Sequence, residues 1–143
     1  MLRTQDREKG ASAIEFALAM PIVFLVLFGV FEFGLALWYQ QELTSAVREG
    51  ARKGVVMATP RKTSTEITDA VKAYMTSVGL SNTSRTVTCT NNCPCTAAGQ
   101  TLTVTATYPS SFQVVSNLTK LFYGSSTVNA SKTLSATVSM QCE

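Results

Sequence analysis

The chain has 143 residues, enough for one small domain beyond an N-terminal segment; its net charge of +3 comes from scattered Lys and Arg, with no basic stripe of the kind that binds nucleic acid. Histidine is absent, which removes the commonest general base and the commonest metal ligand together. Hydrophobic residues make up 45% of the chain but crowd into the N-terminal part, leaving a polar, Ser- and Thr-rich remainder of about a hundred residues that can build one modest core.

Met1 to Gly10 form a charged leader with Arg3, Asp6, Arg7, Glu8 and Lys9. An apolar run follows from Ala11 to Tyr39, interrupted by charge only at Glu15 and Glu32. As a helix, 29 residues reach ~43 Å, against a bilayer core of ~30 Å. A cleaved secretory signal has a much shorter apolar region and a small-residue cleavage site, so the run reads as a retained anchor. Arg3, Arg7 and Lys9 beside the span favour a cytoplasmic N-terminus and place the remainder outside the cytoplasm, where disulfides form.

Carboxylates within an apolar span are costly, at ~2.5–3.5 kcal/mol near the bilayer centre, and are functional by default. Glu15 and Glu32 are 17 residues apart, or ~25 Å along a helix, so each sits near one interface and the two do not form a paired acid/base site. Glu15 lies near a helix start, where a negative charge is favourable. Glu32 has two readings of equal weight: a headgroup-level residue with Trp38 and Tyr39 as interfacial anchors beyond it, or a contact to another subunit within the membrane. Pro21 removes a backbone donor inside the helix, and Gly29 and Gly34 weaken it or permit close approach of a second helix.

Gly10-Ala11-Ser12-Ala13-Ile14-Glu15-Phe16 followed by Pro21 resembles the class III leader of type IV pilins. Phe28-Gly29-Val30-Phe31-Glu32-Phe33-Gly34 and Ala46-Val47-Arg48-Glu49-Gly50-Ala51-Arg52 are similar to the TadE-like pseudopilins of the tight-adherence (Flp, type IVb) pilus system. The resemblance covers about residues 1–55 and implies a bacterial inner-membrane minor subunit with a single pass, needed for pilus assembly. It implies cleavage by a prepilin peptidase between Gly10 and Ala11. Glu15, fifth residue of the mature chain, would then pair with the free amine of a neighbouring subunit. Implied partners are that peptidase, other pilin and pseudopilin subunits, the inner-membrane assembly platform and membrane lipid; no cofactor or nucleic acid is implied. The cysteine-rich region departs from the family pattern.

Beyond the span the helix is expected to continue through Val55, with Ala46, Gly50 and Gly54 forming a small-residue stripe that packs either within the chain or against another helix. Thr59-Pro60 breaks it. Thr63-x-x-Glu66 is a capping box opening an amphipathic helix whose face carries Ile67, Val71, Tyr74, Met75 and Val78 and which ends at Gly79. Strands are expected at Arg85 to Cys89, at Thr101 to Tyr108 closed by Pro109, and at Lys132 to Gln141. Ser110 to Asn129 is a long connection holding a short helix or a packed loop.

The fold class is therefore α+β: a long transmembrane helix continuing outside the membrane, a second amphipathic helix and a small three-stranded antiparallel sheet. The domain division is a leader at 1–10, the span at 11–39, a helical region at 40–79 and a Ser/Thr-rich β domain at 80–143. Four cysteines, Cys89, Cys93, Cys95 and Cys142, are disulfide candidates. A meander puts the loop 90–100 and Cys142 at one end, so Cys142 is expected to bridge to one of the other three, with a second bridge inside 89–95. Cys-x3-Cys-x-Cys is poor zinc spacing, so no metal site is expected. Asn82, Asn117 and Asn129 head glycosylation sequons.

Three function classes compete. The pilin subunit leads. An adhesin-like tip module using the loop 89–100 is the alternative. A tethered enzyme is disfavoured by the missing histidine, the missing nucleophile and phosphate motifs, and the presence of Glu143 as the sole acid after Asp69.

Overall fold

The computed structural model describes residues 3–112, 114, 116, 117, 120, 124 and 131–143, with the backbone alone for 3–9. The elements run α1 (Arg3–Val55), α2 (Ser64–Ser77), β1 (Thr86–Thr90), β2 (Thr101–Ser111) and β3 (Ser131–Gln141). Two compact units result: one of Met1–Gly34 with Phe112–Ala130, the other of Leu35–Ser111 with Ser131–Glu143. This is the α+β arrangement expected from the sequence.

The 53 residues of α1 run without interruption through Pro21. The helix stops at Val55, before Thr59-Pro60, and the Glu143 amide donates to the Val55 carbonyl at 3.2 Å, satisfying one of the acceptors a helix end leaves open. Arg52 and Lys53 lie in its last turn, where positive charge offsets the dipole.

α2 begins at the capping box. The Thr63 hydroxyl accepts from the Glu66 amide, and Glu66 Oε2 accepts from the Thr63 amide at 2.8 Å. It ends in a Schellman motif: Gly79 sits at φ 84, its amide donates to the Thr76 carbonyl, and the Leu80 amide reaches back to Met75 at 2.7 Å. Leu80 and Met75 are both fully buried, so the reversal also closes the core.

The sheet is a meander of order β1-β2-β3, all antiparallel. Leu102, Val104 and Ala106 of β2 and Leu134 and Ala136 of β3 face inward onto Leu43, Ala46, Val47 and Ala51 of α1 and Ile67, Val71 and Met75 of α2. The alternate residues form a hydroxyl-rich outer face, in which Thr103 pairs with Ser139 at 2.9 Å and Thr105 with Thr137 at 3.0 Å.

The strand bounds shift by one residue at both ends of β1, which runs Thr86–Thr90, and at the start of β3, at Ser131; the larger difference is in β2. β2 does not close at Pro109 but continues to Ser111, with Pro109 opposite Thr133. β1 ends its pairing with β2 at Thr86 opposite Thr107, so β2 has an open edge at Pro109 and its missing N–H leaves no ladder bond unmade.

Candidate functional site

The first unit presents an apolar helix surface. Ile14, Phe16, Leu18, Ile22, Val30, Phe31 and Phe33 are all exposed. A soluble helix buries such a stripe; this one shows apolar side chains all round, the pattern of a helix made for a non-aqueous surrounding. By length and composition it is the one described helix that can cross a membrane, as an anchor or as a signal sequence.

Gly10 and Ala11 lie within α1 and are exposed, as is Glu15. Glu32 is placed differently. It is 8% exposed, between Phe31 at 62% and Phe33 at 63%, and its Oε1 accepts the Val114 amide at 2.5 Å. The Ser116 amide donates to the Phe112 carbonyl at 3.1 Å, closing a helical turn around that amide. Val115, Leu118, Leu121 and Phe122 of the long connection lie outside the described residues, as does Asn129; Asn82 and Asn117 are exposed.

In the second unit, Tyr39 is half-buried and packs on Tyr108 of β2, ring centroids 5.9 Å apart, while Trp38 stays largely exposed. Burial raises the Tyr108 phenol above its ordinary value, charge repulsion from Tyr39 adds to this, and the Arg85 guanidinium opposes it. Gln40 Nε2 donates to the Ser135 carbonyl at 2.8 Å, fastening α1 to β3.

The four cysteines pair as Cys89–Cys93 and Cys95–Cys142. The second bridge is backed by main-chain bonds, Gly99 N–H to the Cys142 carbonyl at 2.9 Å and Cys142 N–H to the Gln100 carbonyl at 2.7 Å. Gln100 Oε1 collects the Thr96 amide, the Thr96 hydroxyl and the Ala97 amide within 3.1 Å, so one side chain organises the tip of the loop. Asn91 and Asn92 both take positive φ, at 52° and 58°. The Asn-Asn doublet was the signal for this tight reversal, since Asn tolerates the left-handed region better than most residues. Neither the Gln100 clasp nor the Val114 amide beneath Glu32 has a local sequence signature. No cluster among the described residues has the make-up of a metal site.

The exposed apolar helix, the glutamates and the helical continuation fall in one stretch. Residues 10–52 match the family described as TadE-like protein. This TadE-like region holds Gly10, Ala11, Glu15 and Glu32 and also Leu43, Ala46, Val47, Gly50 and Ala51, the part of α1 that enters the core of the second unit. α2, the sheet and both disulfides lie outside the matched residues. No curated protein and no solved structure matches the chain.

Proposed function

We propose that this chain is a minor pilin or pseudopilin subunit of a type IVb (Flp/Tad) pilus, a structural component rather than an enzyme. The observation that carries the reading is the match of residues 10–52 to TadE-like proteins on a helix whose apolar surface is exposed along its N-terminal half. On this reading residues 11–39 span the bacterial inner membrane with the N-terminus in the cytoplasm, and the second unit folds outside, where its cysteines oxidise.

Residues 1–10 are then a leader removed by a prepilin peptidase between Gly10 and Ala11. Gly10 is exposed and is a weak helix former, at about 1 kcal/mol relative to Ala, which favours local opening of the backbone for cleavage. Cleavage creates a free amine at Ala11, and Glu15 is exposed beside it to receive the amine of a neighbouring subunit. Other pilin subunits, the inner-membrane assembly platform and lipid are the partners this predicts.

The test is the mass of the mature chain from cells with and without the prepilin peptidase. Loss of residues 1–10 only when the peptidase is present is expected; an intact Met1 in both strains defeats the proposal. Glu15→Ala is expected to insert normally and to impair piliation. Normal piliation in that variant removes Glu15 from assembly.

A further inference from the structure

We infer that the helical turn carrying Val114, Ser116 and Asn117 is a second membrane-contacting element, lying in the lipid boundary and docked on the spanning helix through Glu32. The inference rests on the reading of α1 as the membrane span. At the height of Glu32, α1 turns Val30, Phe31 and Phe33 outward, so a spanning α1 is surrounded by lipid there. Glu32 is buried between these exposed side chains, and its carboxylate accepts the Val114 amide. The turn carrying Val114 therefore shares that depth.

Two groups that are costly in lipid cancel each other at this point. The Ser116-to-Phe112 bond starts a helical turn whose early amides have no acceptor within the turn, and the Val114 amide is one of them. In hydrocarbon such an amide must find an acceptor. A carboxylate inside an apolar span must find a donor. A segment running through water would need neither, since solvent would serve both groups. The sequence of the segment agrees: from Phe112 to Tyr123 it carries Phe112, Val114, Val115, Leu118, Leu121 and Phe122, with Lys120 as its single charge. Lys120 is exposed, and at the boundary its ammonium would meet phosphate headgroups. The ligand is thus the interfacial layer of a phospholipid bilayer.

The experiment uses the full chain in vesicles of phosphatidylethanolamine and phosphatidylglycerol. Trp38 is the single tryptophan, so its quenching by lipid brominated near the headgroup reports insertion of α1. In a Trp38→Phe background, Asn117→Trp and Asn82→Trp place reporters at two exposed positions. Asn117→Trp is expected to emit at shorter wavelength, to be quenched by the brominated lipid and to be severalfold less accessible to aqueous iodide than Asn82→Trp. Adding Glu32→Ala is expected to restore iodide access, whereas Glu32→Gln, which keeps an acceptor, is not. Equal iodide access at Asn117 and Asn82 while Trp38 is lipid-quenched overturns the inference and leaves the span intact. Shelter from iodide without lipid quenching identifies a protein neighbour as the cover and overturns it too. Shelter that persists in Glu32→Ala overturns docking through Glu32. If Trp38 itself escapes lipid quenching, the span and this inference fall together.

Discussion

Gly50 on α1 and Val71 on α2 share a space that holds one side chain: a Cβ at Gly50 would overlap Val71 Cγ2. Gly54 repeats the relation one turn on, where a Cβ would stand 2.8 Å from Ile67 Cδ1 and 3.0 Å from Leu102 Cδ2. The stripe of small residues on α1 is thus consumed inside the chain, by α2 and the sheet. Gly50→Ala gains about 1 kcal/mol of helix propensity but overpacks the contact by about 1–3 kcal/mol, for a net expected loss of up to about 2 kcal/mol. Gly29→Ala and Gly34→Ala have open space around them and gain the propensity alone. Thermal unfolding of the full chain in detergent checks the contrast; equal behaviour of Gly50→Ala and Gly29→Ala refutes it.

The two disulfides differ in what they close. Cys89–Cys93 joins residues 4 apart, and Cys95–Cys142 joins residues 47 apart. In the chain-entropy account the longer loop stabilises by ~4 kcal/mol and the shorter by ~2 kcal/mol. The longer bridge also holds the strand end that supplies the Glu143 amide to the last turn of α1. Cys95→Ser with Cys142→Ser is therefore expected to lower the unfolding midpoint about twice as much as Cys89→Ser with Cys93→Ser, read by denaturant titration of each double variant.

What was legible in the sequence was local. Thr63 and Glu66 announce α2 because a capping box needs only residues three apart, and Gly79 ends it because the reversal needs a positive φ. Alternation marks Leu102, Val104 and Ala106 as the inward face of β2. Pro109 misled because its cost depends on whether a neighbouring strand needs its N–H, and β1 is too short to ask for it. The stripe at Ala46, Gly50 and Gly54 fits a helix of the same chain or of another equally well, and only the placement of Val71 and Ile67 decides. The Val114 amide that Glu32 accepts lies 82 residues away and belongs to the backbone, which no side-chain motif advertises.

The capping box gives a pH dependence with a definite sign. The Thr63 amide first, then the Lys62 ammonium and the Thr63 hydroxyl, hold the Glu66 carboxyl below its ordinary value of 4.5. A lowered folded-state value means that the stabilisation is present above the ordinary value and is lost as pH falls through the folded one. The stability difference between the parent and Glu66→Ala should be constant near neutrality and shrink as pH drops below about 4.5. A gap that persists unchanged at strongly acid pH would show that Glu66 acts through its shape and not its charge. Thr63→Ala, which removes the cap itself, is expected to cost about 1 kcal/mol at neutral pH.

Tyr108 carries the opposite sign at the alkaline end. Burial first, then the neighbouring Tyr39, raise its phenol above the ordinary 10.0, with Arg85 pulling the other way. The folded state therefore holds this proton more tightly than the unfolded state. Its contribution is complete below pH 10 and is lost as pH rises through the folded value. Phenolate absorbance should show one tyrosine titrating late, absent in Tyr108→Phe. Tyr39→Ala uncovers the ring and should bring that titration back toward the ordinary value. Arg85→Met removes the opposing cation and should push it later. Arg85 also donates to the Leu80 carbonyl at 2.8 Å, so this variant should lose stability at neutral pH as well. A titration that moves earlier in Arg85→Met would mean that the guanidinium shelters the ring from water more than it attracts the phenolate.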